Sequence, residues 1–486
     1  MRYVLMICIL LPTLFGGLEP QAEDARQPLT FAELTLELDR LAADPWFTKS
    51  SAGQSVAGRD LWLMRIRDPR KEPRWTLFIH AQQHGDEPAG KDALLYLMEN
   101  IHRDHGLLPR GVDLWILPLV NPDGAEAGQR RNANGVDLNR DDMTLSQPEN
   151  QALHRLFQTL EPHLAIDCHE FSRDSRDYLE NGWLEWPEIM MDHANHPFYD
   201  PAIEAMGLDF LERAESHLRA EGIAFCRYLV GGAPPAEQRH STLEMDDARN
   251  AAGSYGGFSY IIEGGLFRTD RTLELTYGER VSNYLTLLTF TLQDRKLRRK
   301  GFPLVDSRRG QALPRFIPTN SFWGRGDNAD SQLPVLTAGK KTALVDAPNL
   351  MTTKVIKRRV ERPRGYVIGR EHAEEFRILL DRHAIPYRDV ESPVQARVAY
   401  CRLDSLVEAF DPVYNRYGGR QYVTALPDTT VLLQQDDLVV ELEPGTGIRA
   451  ALLLEPQMLF GLYQFPIYRK LIGPHGHLPV ARLLEP

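Results

Sequence analysis

The chain has 486 residues, more than a single domain usually holds, so two domains are expected. Hydrophobic residues make up 43% and charged residues 25%, which is typical of a soluble globular protein and excludes an intrinsically disordered one. The formal net charge of -11 argues against a nucleic-acid-binding protein, because such a protein needs a basic surface.

Residues 1–22 have the pattern of a secretory signal peptide. Arg2 supplies a positive start, residues 3–17 are mostly apolar, and a small-residue cleavage site lies near Ala22. The apolar run is shorter than the roughly 20 residues of a transmembrane helix. We therefore expect cleavage, with a retained anchor as the alternative, no stable membrane span afterwards, and a periplasmic or secreted bacterial protein.

The cysteine count argues against a cysteine-type zinc site. Of the four cysteines, Cys8 would leave with the signal peptide, and Cys168, Cys226 and Cys401 would remain. They are far apart and show no CxxC spacing. Three cysteines allow one disulfide, and the sequence does not choose the pair.

Strands alternate with helices through the first half of the mature chain. Thr30 and Glu33 form a capping box before an amphipathic helix over residues 30–43. This alternation predicts an α/β fold with a largely parallel or mixed sheet. The patterns predict strands at 61–66, 75–80, 112–120, 164–167 and 258–262, and further helices at 88–101 and 148–160.

The composition changes near residue 296 and predicts three regions after the signal peptide. A basic run is followed by a stretch rich in Gly, Pro, Ser and Asn, which we interpret as an irregular linker over residues 296–345. Residues 28–295 form the predicted catalytic domain. Residues 346–486 form a small C-terminal domain with a strand–helix–strand pattern at 365–368, 371–383 and 386–390, and short apolar runs at 429–433 and 450–454.

Polar side chains follow four of the predicted apolar strands. In open α/β sheets, ligands bind beyond the carboxyl ends of the strands, so we expect a functional site at this edge. The four polar segments are Gln82–Glu87, Asn121–Gly124, His169–Glu170 and Glu263–Gly265.

His84, Glu87 and His169 are the candidate metal ligands. A catalytic zinc ion usually has three protein ligands, often His and Glu, and keeps one open position. Taken separately, the HxxE pair also fits a solvated histidine beside a helix-terminal glutamate, and His169 fits a hydrogen-bonded strand-end histidine. Asp167 is placed to orient a ligand imidazole.

Glu263 and an arginine-rich loop are the candidate catalytic and substrate-binding elements. A carboxylate at the end of so apolar a strand has a raised pKa, which suits a general base, although a buried pair with arginine is the alternative. The loop at residues 128–140 carries three arginines, whose forks bind carboxylates, or it is a generic basic loop.

These segments resemble the zinc carboxypeptidase family of metallopeptidases. The resemblance covers about residues 28–295, and it implies a mixed eight-stranded twisted sheet flanked by helices, beside a smaller C-terminal α+β domain. The segments that carry it are Ser55–Leu61, His84–Glu87, Asn121–Gly124, Arg130–Arg140, Asp167–His169 and Ile262–Glu263.

The resemblance implies that His84, Glu87 and His169 hold one zinc ion, which polarises the scissile carbonyl and activates a water molecule. It implies that Glu263 takes the proton of that water and passes it to the leaving amine. Arg130 would stabilise the oxyanion, with Arg131 as the alternative for that role.

Asn139 and Arg140 would, by the same resemblance, bind the terminal carboxylate of a substrate. Where the family often continues with Asn-Phe, this chain has Asp141 and Asp142, which add negative charge beside that site. Tyr255 is the candidate for the mobile-loop tyrosine of digestive members. The His169-Glu-Phe segment is similar to a bacterial secreted subgroup with a C-terminal extension.

Three functions are consistent with the sequence. The first is a zinc carboxypeptidase acting on peptides, with cell-wall peptides among the candidate substrates. The second is a related zinc amidohydrolase that cuts small N-acyl amino acids, although the Asn-Pro-Asp-Gly segment favours the first. The third is a non-catalytic binding protein on the same fold. The sequence does not indicate an oligomeric state.

Overall fold

A computed structural model describes residues 27–267, 276–326, 331–337, 339, 341–405, 410–411, 416–417 and 421–485. The predicted signal peptide and Cys8 lie outside these residues. In the catalytic region the strands are β1 Phe47–Gln54, β2 Asp60–Ile66, β3 Trp75–Ala81, β4 Val112–Leu117, β5 Leu164–Ser172, β6 Trp183–Glu185, β7 Ile189–His193, β8 Phe225–Arg227, β9 Leu229–Gly231, β10 Gln238–His240 and β11 Phe258–Leu266.

The later strands belong mostly to the C-terminal half. They are β12 Phe316–Gly324, β13 Gln332–Thr337, β14 Thr342–Asp346, β15 Leu350–Met351, β16 Thr353–Glu361, β17 Gly365–Ile368, β18 Arg388–Asp389, β19 Val394–Ala399, β20 Cys401–Ser405, β21 Phe410–Asp411, β22 Arg416–Tyr417, β23 Tyr422–Ala425, β24 Thr429–Leu433, β25 Leu438–Glu441 and β26 Val480–Glu485.

The α-helices flank the sheets in both halves of the chain. They are α1 Phe31–Leu41, α2 Ala89–Arg103, α3 Pro122–Ala127, α4 Pro148–Leu160, α5 Arg176–Glu180, α6 Pro201–Ala220, α7 Ala248–Gly253, α8 Tyr277–Gln293, α9 Phe302–Arg308, α10 Ala373–Arg382, α11 Gly447–Leu454 and α12 Pro466–Arg469. Among the described residues, none of these helices is long and apolar enough to cross a bilayer.

An eight-stranded mixed sheet organises the first half, in the order β1-β2-β4-β3-β5-β11-β7-β8. Its four central strands, β4, β3, β5 and β11, run parallel to one another. Both faces of these strands are covered by helices, which explains why their sequences are almost continuously apolar. α1, α2, α6 and α8 pack on one face, and α4 and α7 pack on the other. The predicted α/β fold with a mixed eight-stranded sheet is confirmed.

Two predicted strands extend farther than the sequence pattern indicated. β5 continues to Ser172 and β11 to Leu266, because their parallel pairing holds through Leu266 opposite Ser172. His169 and Glu263 therefore lie within paired strands and not in the turns that follow them. In this position the backbone fixes both side chains more firmly than a loop would.

The described residues between 296 and 345 form helices and strands, which differs from the predicted irregular linker. A π-helical turn at Leu297–Gly301 leads into α9, and strands β12, β13 and β14 follow. β13 pairs antiparallel with β6 of the catalytic region. Short strands bounded by Gly, Pro and Asn carry little periodicity, so the composition alone suggested a linker.

The C-terminal region is a small α+β unit that packs on the catalytic region. Its six-stranded sheet has the order β18-β25-β17-β26-β19-β24, with antiparallel pairings throughout. Apolar side chains of α10 and α11 share one cluster with Met143, Phe198 and Met245 of the first half. The His383 ring lies 3.1 Å from the Met143 carbonyl oxygen. This region therefore supports the loops beside the catalytic face.

Candidate metal centre and active site

Three buried side chains converge at the carboxyl edge of the central parallel strands. His84 and Glu87 lie in the turn between β3 and α2, and His169 lies on the neighbouring β5. The His84 Nδ1 atom is 2.9 Å from Glu87 Oε1 and 3.0 Å from His169 Nδ1. The His169 Nδ1 atom is 3.1 Å from Glu87 Oε2. These are two imidazoles and one carboxylate, which suit a zinc ion.

The outer nitrogen of each imidazole faces a carboxylate. His84 Nε2 lies 3.2 Å from Asp137 Oδ1, and His169 Nε2 lies 2.8 Å from Asp167 Oδ2. Each Nε2 can therefore carry the proton and donate it to its carboxylate, which leaves both Nδ1 lone pairs directed at the centre of the cluster. Two lone pairs only 3.0 Å apart repel unless a cation lies between them, so these residues fit a metal ion.

The charges in the cluster favour a cation. Although burial opposes ionisation, His84 and His169 hold the pKa of Glu87 well below its usual range. Burial would lower the pKa of His169, but Asp167 and Glu87 raise it well above its usual value. The negative charges of Glu87 and Asp167, which raise the pKa of His169, would also attract a dication held by the two Nδ1 atoms.

A tight glycine turn positions the His84–Glu87 pair. A Cβ atom on Gly85 would come within 2.1 Å of the Gly124 carbonyl carbon and 2.3 Å of the Ala125 nitrogen. The first residues of α3 therefore pack directly against the turn. Asn121, which follows β4, caps α3 by accepting a hydrogen bond from the Gly124 N–H at 2.8 Å. The predicted Asn-Pro-Asp-Gly segment thus holds the metal-binding turn in place.

Arg130 reaches the metal cluster, whereas Arg131 bonds within its own loop. The Arg130 Nη1 atom lies 3.1 Å from His84 Nδ1 and 3.4 Å from Glu87 Oε1, and its Nε donates to Asp137 Oδ2 at 2.9 Å. Arg131 Nη1 donates to the Gly135 carbonyl at 2.8 Å. The geometry therefore favours Arg130 over Arg131 for a role at the cluster.

Asn139 and Arg140 lie next to the metal ligands in a 3-10 turn. The Asn139 amide nitrogen is 3.4 Å from His169 Nε2, and its oxygen accepts the Ala248 N–H at 3.0 Å. Arg140 Nη1 donates to the Asn139 carbonyl oxygen. The turn begins at Asp137, whose carboxylate accepts the Asn139 N–H at 3.1 Å. This short turn therefore presents the Asn139 amide beside His169, and Arg140 is the next residue of the turn.

The two aspartates after Arg140 are occupied by buried contacts. Asp141 accepts hydrogen bonds from Thr144, Ser146 and the Gln147 N–H. Asp142 Oδ1 is 3.0 Å from His154 Nε2, and burial together with Asp247 raises the pKa of Asp142 well above its usual value. Asp142 therefore adds less negative charge than the sequence suggested.

Glu263 lies on β11 directly opposite His169 in the parallel register. Burial raises the pKa of Glu263 to about 7, with a further contribution from Glu87, and His169 opposes the shift. The half-buried Tyr228 hydrogen-bonds the Glu263 carboxylate. A carboxyl group with this pKa can both accept and release a proton near neutral pH.

Tyr255 is placed by contacts remote from the metal cluster. Its hydroxyl lies 3.3 Å from His154 Nδ1, and its ring packs on Phe157 and under the Arg449 guanidinium at 3.9 Å. The structure brings the hydroxyl of Tyr228, not of Tyr255, to Glu263. Tyr255 instead joins the catalytic region to the C-terminal region.

Sequence reasoning did not identify Asp137 and Tyr228 as site residues. Asp137 lies two residues before Asn139 in the arginine-rich loop at residues 128–140. Its position in that loop is the one sequence signal that could have indicated a partner for a ligand histidine. Tyr228 follows the short edge strand β8 and carries no local signal. The cysteines Cys168, Cys226 and Cys401 are all unpaired with one another.

Comparisons with known proteins agree with this geometry. The family model described as zinc carboxypeptidase matches residues 37–152. "Carboxypeptidase 2" of Trichophyton tonsurans is 27% identical over 229 residues, which cover 44% of this chain and 43% of that protein. "Carboxypeptidase SOL1" of Arabidopsis thaliana is 37% identical over 123 residues, which cover 21% of this chain and 25% of that protein. The chain thus spans less than half the length of the curated relatives it matches.

Among solved structures, a metallo-carboxypeptidase from Burkholderia cenocepacia aligns with a TM-score of 0.45 and 19% identity, covering 55% of this chain and 69% of that one. The family match includes His84, Glu87, Arg130, Asn139 and Arg140. Residues 37–152 thus match the zinc carboxypeptidase family, in agreement with the resemblance predicted from the sequence.

Proposed function

We propose that this protein is a zinc metallocarboxypeptidase that removes C-terminal residues from peptides, with one zinc ion held by His84, Glu87 and His169. The observation that carries the proposal is the convergence of two imidazole Nδ1 atoms and one carboxylate next to Glu263. When bound, zinc would polarise the scissile carbonyl and activate a water molecule for attack.

Glu263 is the proposed general base and later the general acid. Its pKa near 7 allows it to accept a proton from the attacking water and deliver that proton to the leaving amine. The hydrogen bond from Tyr228 orients the carboxylate and limits how far burial raises its pKa. A carboxylate with an ordinary pKa would accept a proton less readily at neutral pH.

Arg130 is the proposed stabiliser of the oxyanion, because its guanidinium stands at the rim of the metal cluster and its side chain is 40% exposed. Asp137 holds that guanidinium at its Nε atom, so the terminal nitrogens face the cluster. Asn139 and Arg140 are the proposed binding groups for the terminal carboxylate of the substrate. An arginine fork and an amide offer the donors that a carboxylate accepts.

Peptide-library digestion followed by mass spectrometry tests the activity. We expect products that each lack one C-terminal residue, and cell-wall peptides belong in the library because they are a candidate substrate class. Cleavage of N-acyl amino acids without cleavage of any peptide would instead identify an amidohydrolase. Turnover of neither class by the zinc-loaded protein would identify a binding protein and refute the proposal.

The Glu263→Gln substitution tests the assignment of the base. Glutamine keeps the size of the side chain but cannot accept a proton, so we expect a loss of about 100-fold to 10,000-fold in kcat with zinc content unchanged. Glu237→Gln, at an exposed position, is the matched control. Full activity in Glu263→Gln would show that the assignment is wrong.

Export to the periplasm or the medium stays a prediction from residues 1–22. N-terminal sequencing of the protein recovered from each cell fraction checks it, with a start near residue 23 as the expected result.

A further inference from the structure

A cavity of about 230 Å³ lies beside the proposed general base. Its wall includes Tyr228, which hydrogen-bonds Glu263, and Met190, which is the register partner of Glu263 across β7 and β11. Pockets for small-molecule ligands usually measure roughly 300 to 1,000 Å³. This smaller cavity therefore suits a single side chain of a substrate that reacts at Glu263.

The residues of β5 that line the cavity come after His169, whereas Asn139 contacts the His169 atom that faces Asp167, which comes before it. Phe171 and Ser172 line the cavity, and they follow His169 on the strand. Asn139 contacts His169 Nε2, the atom that faces Asp167 earlier on the strand. If Asn139 and Arg140 bind the terminal carboxylate, as proposed above, the cavity lies toward the amino-terminal part of the substrate.

One carboxylate, Glu185, faces this cavity without an ion pair among the described residues, although the positive charge of Arg173 is close enough to lower its pKa. Glu185 accepts a hydrogen bond from Ser175 Oγ at 3.2 Å, and within the part of the chain that the structure describes no Lys, Arg or His forms an ion pair with it. The nearby Arg173 guanidinium donates instead to the backbone carbonyls of Glu185 and Trp186. Burial raises the pKa of Glu185 to about 7. A cation in the cavity would stabilise its ionised form.

The remaining walls suit a long side chain with a charged end. Leu333 and Pro334 of β13 supply apolar surface, and the β6–β13 pairing places Val335 opposite Glu185. Apolar walls that lead to a charged group match the methylene chain and ammonium group of lysine.

We propose that this cavity binds an ammonium-bearing side chain on the amino-terminal side of the scissile bond and that Glu185 pairs with its charge. The inference rests on the proposed carboxypeptidase function and adds a substrate preference to it. Glu185 acts as a specificity-determining residue and takes no part in the proton transfer.

Matched peptides that differ at one position test the inference. One peptide carries lysine at the residue before the scissile bond, and the other carries norleucine, which has a similar apolar chain without the charge. The lysine ammonium group can form a charge-assisted hydrogen bond with Glu185, and norleucine cannot. We therefore expect kcat/KM to be about tenfold or more higher for the lysine peptide than for the norleucine peptide. Glu185→Gln should bring the ratio of kcat/KM for the two peptides close to one.

Glu237→Gln is the matched control, because it removes the same charge next to Gln238 at an exposed position that does not line the cavity. Glutamine at position 185 retains an oxygen that can accept the Ser175 hydrogen bond, and thermal unfolding checks that the variant folds. Equal rates for the two peptides in the wild-type protein, or an unchanged ratio in Glu185→Gln, would overturn the inference.

Binding measurements separate this inference from the proposed function. Calorimetry with the zinc-loaded Glu263→Gln protein gives dissociation constants for the same two peptides without turnover. Tighter binding of the lysine peptide, lost when Glu185→Gln is added, would support the cavity assignment even if the wild-type protein cleaved no peptide. Equal binding of both peptides would contradict the cavity assignment alone.

Discussion

Replacing Asp137 with asparagine tests how the metal site is built. Asp137 is 3% exposed and holds three groups: His84 Nε2 at 3.2 Å, Arg130 Nε at 2.9 Å and the Asn139 N–H at 3.1 Å. Despite burial, His84 and Arg130 keep the pKa of Asp137 well below its usual range, so the group is ionised. Asparagine preserves the volume and one acceptor oxygen but removes the charge.

The expected loss follows from the contact with His84. Partners that orient ligand imidazoles typically change metal affinity by about 10-fold to 100-fold, or about 1.4 to 2.7 kcal/mol. Because the asparagine oxygen can still accept a hydrogen bond, we expect Asp137→Asn to lie near the lower end of this range. Release of Arg130 should also lower kcat/KM by more than the loss of zinc explains.

Zinc affinity is measured by competition with a chromophoric chelator, and kcat/KM is then measured at saturating zinc. Asp113→Asn is the control, because Asp113 forms a partly buried ion pair with Arg65 near the amino end of β4, away from the carboxyl edge of the sheet. If Asp137→Asn binds zinc within twofold of the wild-type affinity, or if Asp113→Asn loses as much zinc affinity, then Asp137 does not support zinc binding through His84.

In Gly85→Ala the new methyl group would displace the His84 turn from the backbone of Gly124. We therefore expect the free energy of zinc binding to fall by more than the free energy of unfolding. Chelator competition measures the first quantity and thermal unfolding the second. Asp192→Asn should destabilise the fold by about 3 to 5 kcal/mol at pH 7, since it removes one partner of a buried pair with Arg227 and Arg249. Despite burial, these arginines lower the pKa of Asp192 in the folded protein. The contribution of Asp192 to the free energy of unfolding is therefore fully present above the unfolded pKa of about 3.9, and it is lost as the pH falls from there toward the folded pKa. The difference in unfolding free energy between the wild type and Asp192→Asn should therefore narrow below about pH 4.

Each of these two predictions has a control and a contrary outcome. Gly278→Ala adds a methyl group whose nearest neighbour outside the helix backbone is the Thr276 Oγ1 atom at 4.0 Å, so zinc affinity should not change. Unchanged affinity in Gly85→Ala would show that the turn tolerates displacement. A constant difference in stability between pH 7 and pH 3 would show that Asp192 is not ionised through its arginine partners.

The grouping of the candidate site residues could be predicted because they follow strongly apolar segments. Parallel strands bring their carboxyl ends to one edge of the sheet, so the positions of His84, His169 and Glu263 after three predicted strands indicated that they lie close together. Helix α4 begins and ends where the sequence predicted, at Pro148 and Leu160, because proline favours the first turn.

Other features depend on contacts that no local pattern contains. Tyr228 reaches Glu263 from an edge strand, and Tyr255 is held by Arg449 from the C-terminal region, so their positions follow from tertiary packing. The β13 strand was not predicted because its partner, β6, lies about 150 residues earlier in the chain. Short strands of this kind are stabilised by their partners and by burial, and not by intrinsic preference.

Zinc content is the most direct test of the proposal that His84, Glu87 and His169 hold one zinc ion. The protein is saturated with zinc, dialysed, and measured by elemental analysis beside His169→Ala, with circular dichroism to show that the variant is folded. We expect one zinc ion per wild-type chain and a large loss of zinc in His169→Ala, because only His84 and Glu87 of the three proposed ligands would remain. A wild-type chain without zinc, or a folded His169→Ala protein that retains one ion per chain, would contradict this proposal.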